Sequence, residues 1–251
     1  MLYIILDRRN IMELHRSRED LSRFLVHLTR DYGGKSAKFN LINILKEKKI
    51  YARNAHCLVM HKIEKMGFSR LLKSKFNTVY FTETPLTQIK QITTEIKGRK
   101  IQLKPYGLVF WKNSLFKAGS SPSIYINAKG TSVSRFLLDE FDSTFDGIKT
   151  LETFRKVKAD HYKNIVHYYS LINVVKDKHD FLWEREWRHH GDFTFKYGDI
   201  VAIIANNPSE FEKLCEKNLK KTKYKYIKKI PIINLEWTYE ELLEEFAIKI
   251  W

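Results

Sequence analysis

Cysteine and long apolar runs are both scarce in this sequence. The two cysteines, Cys57 and Cys215, stand far apart and lack the paired spacing of a zinc site, so neither a disulfide framework nor structural zinc is predicted. No apolar stretch approaches the roughly 20 residues that a transmembrane helix needs. Residues 1–6 are apolar, but Asp7 follows at once, so they are too short for a secretory signal. These absences predict a soluble protein of the cytoplasm.

Glycine and proline are few as well, with ten and five among 251 residues. Hydrophobic residues make up 43% of the chain and aromatic residues 14%, which excludes a disordered protein because so much apolar surface can be buried. No low-complexity linker divides the chain. We therefore predict a single domain over residues 1–251, with its core in residues 20–235 and a short C-terminal helix in residues 236–251.

Acidic residues are too few to balance the basic ones. Lys and Arg number 45 against 29 Asp and Glu, which gives a net charge of +16. Such a surplus attracts polyanions through long-range fields and counterion release, so nucleic acid is the predicted partner. A solvated lysine-rich surface is the alternative. The candidate nucleic-acid contacts are Lys220, Lys221, Lys223, Lys225, Lys228 and Lys229.

Predicted strands and helices are interspersed without the regular alternation of a parallel, doubly wound sheet. Residues 24–29 alternate as a strand does, Gly33 and Gly34 open a loop, and residues 36–46 have helical spacing. Further strands are predicted at 78–83, 106–112, 122–127, 201–205 and 226–233, a hairpin at 181–195, and helices at 86–96, within 134–175, and at 210–218 behind a Ser209 cap. The predicted fold class is α+β, with a mixed, largely antiparallel central sheet and packed helices.

The segment WEREWR, residues 183–188, is the first candidate for chemistry. Strand geometry would place Glu184, Glu186 and Arg188 on one face, with Trp183 and Trp187 anchored in the core on the other. A fixed carboxylate in such a row can stabilise the positive charge that develops on a sugar carbon when a glycosidic bond breaks. The alternative is an exposed strand whose ion pairs contribute little.

Other candidates lie at strand ends. His27 and Thr29 share one strand face just before a glycine loop and a helix N-terminus that can receive a phosphate, and a hydrogen-bonded structural pair is the alternative. Glu83 ends another predicted strand, where sites are commonly assembled. His189 and His190 are adjacent and would point to opposite faces, so no metal site is predicted. The sequence also lacks a Walker loop and a nucleophile elbow.

Six segments, in this order, resemble the AbiGi family of abortive-infection, phage-resistance proteins. They are HLT at 27–29, NLINIL at 40–45, YFTETPL at 80–86, YGLVF at 106–110, GSSPSIY at 119–125 and EREWR at 184–188. The resemblance implies a role in antiviral defence by abortive infection, within a toxin–antitoxin system. A cognate toxin or antitoxin would then be a partner.

A more distant likeness joins the His-x-Thr strand, the Asn-Leu-x-x-Ile-Leu helix and the late Glu-x-Glu strand, which are similar to the layout of ADP-ribosyltransferase folds. It implies an ADP-ribosyltransferase-like fold that uses NAD and modifies a nucleic acid or protein. By this likeness Glu186 would hold the nicotinamide ribose and Glu184 would orient or deprotonate the acceptor. The implied NAD contacts are His27, Thr29, Tyr80, Tyr106 and Arg188.

The sequence leaves open whether the protein is an enzyme. A catalytically silent antitoxin or nucleic-acid-binding regulator would keep the same fold and use only its basic face. A nuclease would need a divalent metal ion, for which one pair of glutamates is a small ligand set. The transferase requires that the side chains of His27, Thr29 and Glu186 converge in one cleft, whereas the regulator does not.

Overall fold

A computed structural model describes residues 20–95, 101–127, 130–157, 162–175 and 182–250. In chain order, the strands are β1 (Phe24–Leu28), β2 (Lys49–Ile50), β3 (Thr78–Thr82), β4 (Tyr106–Trp111), β5 (Ser121–Pro122), β6 (Ile124–Asn127), β7 (Ile172–Val175), β8 (Glu186–His190), β9 (Phe193–Thr194), β10 (Ile200–Ala205) and β11 (Ile232–Ile233). The predicted features at residues 1–6, 96, 158–161, 181 and 251 lie outside the described residues.

Eleven α-helices accompany these strands in the described ranges. They are α1 (Ala37–Glu47), α2 (Met60–Lys65), α3 (Arg70–Ser74), α4 (Ile89–Thr93), α5 (Lys112–Lys117), α6 (Ser132–Phe145), α7 (Leu151–Val157), α8 (Tyr162–Leu171), α9 (Pro208–Asn218), α10 (Lys221–Ile227) and α11 (Tyr239–Ile250). Three short 3-10 helices cover Leu86–Gln88, Leu182–Glu184 and Tyr197–Asp199. None of these helices is long and apolar enough to cross a bilayer.

Among the described residues, seven strands form the central sheet in the order β11-β10-β4-β1-β3-β8-β5. Neighbouring strands in it are antiparallel, except that β10 and β11 run parallel. Two small sheets join β2 to β9 in antiparallel and β6 to β7 in parallel orientation. The predicted α+β class with a largely antiparallel central sheet is therefore confirmed.

The two faces of the central sheet bury different apolar cores. Core A includes Leu25, Phe81, Leu108, Phe110 and Trp187 together with residues of α1 and α9. Core B, on the opposite face, includes Val26, Ile89, Val109, Ala202 and Ile204. Successive side chains of a strand point to opposite faces, so alternate residues of each central strand pack into core A and core B.

A third apolar cluster, core C, belongs to the helical part of the chain. It joins α2, α3, α6, α7 and α8 to strand β7, and its fully buried aromatic residues are Phe76, Phe141, Phe145 and Phe154. The described helices and strand within residues 130–175 agree with the helical packing predicted for 134–175, apart from β7. Helix α8 of core C contacts strand β8 of the central sheet.

Gly107 allows strands β1 and β4 to approach closely. A Cβ atom at this position would lie 2.5 Å from the carbonyl oxygen of His27 and 3.1 Å from a methyl carbon of Leu28. The nearest atom, the carbonyl oxygen of His27, belongs to the backbone of the sheet and cannot move away as a flexible side chain could. Glycine is therefore required at a point where two central strands pair.

Several local predictions were wrong because pairing partners lie far away in the sequence. Strand β9 pairs with β2 rather than with β8, so the described part of the predicted hairpin, residues 182–195, forms none. Residues 226–233, predicted as a strand, contain the end of helix α10 and only the short strand β11. The helix at 210–218 begins earlier, because Asn207 accepts the capping hydrogen bond from Glu210 and Pro208 occupies the first turn.

Candidate functional site

Glu186 and Arg188 form a buried ion pair on strand β8. The two side chains share one face, as their spacing predicts, and Nε of Arg188 donates to Oε1 of Glu186 over 2.9 Å. Arg188 is fully buried, and its Nη1 donates to the carbonyl oxygen of Ser170 over 2.5 Å. Its guanidinium also lies 5.2 Å from the ring centroid of Tyr80. Burial acts to lower the pKa of Arg188, but the Glu186 carboxylate outweighs burial and raises that pKa, so Arg188 is a cation.

The second carboxylate oxygen of Glu186 is occupied by two further donors. The hydroxyl of Tyr125 donates to Oε2 over 2.7 Å, and Nδ2 of Asn173 donates to it over 3.2 Å. Burial, and then the Glu186 charge, raise the pKa of Tyr125, so this phenol stays protonated as a donor. The Glu186 side chain is 12% exposed. Its carboxylate is thus saturated by neighbouring side chains.

These contacts join the helical part of the chain to the central sheet. Ser170 lies on α8, Asn173 on β7 and Tyr125 on β6, all next to core C, whereas Glu186 and Arg188 belong to the central sheet. A buried ion pair needs such additional hydrogen bonds to offset its desolvation. The segment predicted as a catalytic row therefore acts as the polar contact between two layers of the fold.

Glu184 does not lie on strand β8, contrary to the sequence prediction. It ends the 3-10 helix Leu182–Glu184, and Arg185, with φ of 47°, turns the chain before the strand begins at Glu186. The Glu184 carbonyl accepts a hydrogen bond from the hydroxyl of Thr82. Trp183 is 40% exposed, whereas Trp187 is buried in core A, so only the second tryptophan anchors the strand as predicted.

His27 serves the interior of the sheet. Its Nδ1 lies 2.8 Å from the carbonyl oxygen of Tyr80, and its ring meets Phe81 edge-on at 5.8 Å. Burial lowers the pKa of His27 to about 4, so the ring is neutral at pH 7. Because the carbonyl can only accept, Nδ1 carries the proton and donates it.

Thr29 and Tyr106 likewise make structural contacts. The Thr29 hydroxyl lies 3.0 Å from the carbonyl oxygens of Ala37 and of Tyr106. Through these contacts it fixes the loop that leads from β1 to α1. The Tyr106 ring packs against Phe211 of α9 with centroids 6.1 Å apart.

The single cleft required for the transferase does not form. His27 pairs with Leu108 on the core A face of the sheet. Glu186 pairs with Thr82, which pairs with Val26 on the core B face. The sheet therefore separates His27 and Thr29 from Glu186, and the buried Arg188 presents no surface to a cofactor phosphate. Of the predicted NAD contacts, the side chains of Tyr80 and Arg188 lie together, whereas His27 and Thr29 reach only the backbone carbonyls of Tyr80 and Tyr106.

Glu83, which was singled out only because it ends a strand, is a buried carboxylate with two side-chain donors. It is 9% exposed. Nε1 of Trp187 donates to its Oε2 over 2.7 Å, and Lys112 Nζ donates to its Oε1 over 2.8 Å. The clue in the sequence was a carboxylate just before Pro85 at the end of an apolar strand.

Thiol and metal chemistry find little support in the described part of the chain. Burial raises the pKa of Cys57 to about 11 and that of Cys215 to about 12, which keeps both thiols protonated and unreactive. Among the described residues, no group of three or more His, Cys, Asp and Glu could hold a metal ion.

A surface cleft carries the exposed basic and aromatic groups that the buried network lacks. The rings of Tyr197 and Tyr226 stack at 5.9 Å with an interplanar angle of 20°, and Tyr226 is 51% exposed. Lys48 Nζ lies 5.9 Å from the Tyr197 ring, and Lys225 Nζ lies 5.1 Å from the Tyr226 ring. The cleft has a volume of about 370 Å³ and is lined by Lys48, Lys196, Tyr197, Gly198, Thr222, Lys223 and Tyr226, whereas Lys225 lies beside it on helix α10. Sequence reasoning missed both tyrosines.

Helix α10 carries three of the six lysines that were predicted to contact nucleic acid, and the other three lie next to its ends. Lys221, Lys223 and Lys225 lie within it, Lys220 caps its start, and Lys228 and Lys229 follow its end. All except the half-buried Lys223 are exposed. The predicted strand at this position was wrong, but the helix brings the lysines to the edge of the cleft.

No family model, no curated protein and no solved structure matches this chain.

Proposed function

We propose that this protein binds nucleic acid at the cleft between helix α10 and Lys48, the residue that caps the C-terminus of helix α1. The observation that carries the proposal is the stacked pair of Tyr197 and Tyr226 with lysines around it. Lysines neutralise phosphates, and exposed aromatic rings supply stacking surfaces for bases. The net charge of +16 adds a long-range attraction.

Charge reversal on helix α10 tests this proposal. We expect Lys221→Glu/Lys225→Glu to weaken binding to a fluorescent oligonucleotide at least about 10-fold near 0.1 M salt, and to reduce the salt slope by about 2. Fluorescence anisotropy at several salt concentrations measures both quantities. The matched control is Lys117→Glu/Lys156→Glu, which makes the same change in net charge at exposed positions on α5 and α7, away from helix α10. Equal losses in the two variants would assign the binding to net charge and contradict a site at α10.

Transfer of ADP-ribose from NAD stays a prediction, as do the implied roles in phage defence and in a toxin–antitoxin system. Because Arg188, Tyr125 and Asn173 saturate the Glu186 carboxylate, we expect the purified protein to release no nicotinamide from NAD. Chromatographic separation of NAD from nicotinamide measures this. Release that disappears in a folded Glu186→Gln variant would contradict the expectation and restore the transferase.

A further inference from the structure

A second group of exposed aromatic and basic side chains lies next to the cleft. Guanidinium carbons of Arg30 and Arg53 lie 5.3 Å and 4.7 Å from the ring centroid of Tyr32. Arg53 also lies 5.8 Å from the Tyr51 ring, and Lys49 Nζ lies 4.7 Å from it. Tyr32 and Tyr51 are 47% and 44% exposed. Two tyrosines are thus joined by one shared guanidinium and flanked by further cations.

The two groups meet at consecutive residues. Lys48 contacts the Tyr197 ring in the cleft, and Lys49 contacts the Tyr51 ring in the second group, so their Cα atoms are about 3.8 Å apart. We call the two groups together the aromatic track; its rings are Tyr32, Tyr51, Tyr197 and Tyr226. Each ring has a cation or another ring of the track beside it: Arg30, Arg53 and Lys49 lie against Tyr32 and Tyr51, and Lys48 and Lys225 lie against the stacked pair of Tyr197 and Tyr226.

Two carboxylates hold part of the track in place. Asp192 pairs with Lys49 at 3.1 Å, and its other oxygen accepts from the backbone nitrogen of Ala52 over 2.9 Å. Glu47 accepts a hydrogen bond from the Tyr51 hydroxyl and raises the pKa of that phenol. Both contacts fix side chains before a ligand arrives, which reduces the entropy lost on binding.

We infer that the aromatic track takes single-stranded nucleic acid, with bases stacked on its tyrosine and guanidinium planes and phosphates on its lysines. This inference rests on the proposed function and specifies its substrate class. Bases in a duplex are stacked on each other and cannot offer their faces to a protein ring, whereas those of a single strand can. An acidic peptide would pair with the cations, but its carboxylate side chains offer no planar ring to stack on the tyrosines.

The test compares the affinity for single strands with that for a duplex, and the affinity of the wild type with that of variants that lack the tyrosine rings. The three probes are a fluorescent oligothymidine of about 20 nucleotides, an oligouridine of the same length and a DNA duplex of matching length. This length is enough to span the roughly 4–16 nucleotides that a single-strand-binding fold covers. Each probe is titrated at the same salt concentration. We expect both single strands to bind more tightly than the duplex. We expect Tyr32→Leu/Tyr51→Leu to weaken single-strand binding about 10-fold or more, since each base stacked on a ring contributes measurably, while the salt slope stays unchanged because no phosphate contact is lost.

Two variants serve as controls. Tyr32→Phe/Tyr51→Phe keeps both rings and should retain single-strand binding. Tyr239→Leu removes a tyrosine that is 74% exposed on α11, outside the aromatic track, so its affinity should equal that of the wild type. Circular dichroism melting verifies that each variant is folded.

The outcomes separate the inference from the proposed function. Equal affinity for the single strands and the duplex, or no difference between the Tyr32→Leu/Tyr51→Leu and Tyr239→Leu variants, would overturn the single-strand inference and leave nucleic-acid binding intact. Displacement of the oligonucleotide by an equal concentration of polyglutamate residues would overturn it as well. Failure of every probe to bind would overturn both proposals.

Discussion

Replacement of Arg188 by methionine is expected to lower the free energy of unfolding by about 3–5 kcal/mol, the usual loss when one partner of a buried ion pair is removed. The change leaves the Glu186 carboxylate, which is only 12% exposed, without its cation, and the Ser170 carbonyl without its donor. Methionine has a similar length and is apolar, so little of the loss comes from an empty space. Urea unfolding followed by circular dichroism measures the change.

A double variant distinguishes a buried charge from a loss of packing. Glu186→Gln/Arg188→Met removes both charges, and the glutamine side chain keeps a polar amide that Tyr125 and Asn173 can still contact. We expect it to be more stable than Arg188→Met alone, because no unpaired charge stays buried. An Arg188→Met variant that loses less than about 1 kcal/mol would contradict the buried pair, since that is the range of exposed pairs.

The face that each strand residue occupies could be predicted only within its own strand. Alternation along β8 correctly placed Glu186 and Arg188 together and Trp187 opposite, because that period is a local property of the backbone. It could not relate β8 to β1, since their relation depends on the register of β3 between them. A shift of one residue in that register would move every side chain to the other face, and for this reason the expected cleft of His27 and Glu186 was wrong.

The ends of strand β8 depend on two turns, of which only the second contains a glycine. Arg185 adopts a positive φ and separates Glu184 from the strand, although the segment has no glycine. Gly191, with φ of 76°, then directs the chain away from β8 towards the pairing of β9 with β2. Residues 226–233 were predicted as a strand, yet Tyr226 and Ile227 belong to helix α10, and Ile227 is buried in core A. Burial against core A overrides a weak local preference there.

Net charge and the lysine positions could be read directly from the sequence, but the aromatic track could not. Its tyrosines come from the loop after β1, the chain after β2, a 3-10 helix and helix α10. Only folding brings Tyr197 next to Tyr226 and Arg53 next to Tyr32. The polyanion prediction therefore depends on composition, whereas the choice of a single strand depends on tertiary contacts.

Replacement of Phe141 by alanine is expected to cost about 3–5 kcal/mol of unfolding free energy, as is usual for a buried phenylalanine. The side chain is fully buried at the centre of core C. Its ring lies 4.5 Å from Phe145 and 5.0 Å from Tyr169, and further contacts reach Phe68 and Phe76. Truncation would leave a cavity that these large, mutually packed rings cannot readily fill.

Helix α6 itself provides the matched control for this prediction. Phe136 lies on the same helix and is 63% exposed, so Phe136→Ala should change the stability by no more than about 0.5 kcal/mol. Similar losses in the two variants would contradict the docking of α6 on core C. If Glu186 and Arg188 join core C to the central sheet, Phe141→Ala should lower the midpoint of one common unfolding transition. A separate early transition of the helices alone would instead show that the two layers unfold independently.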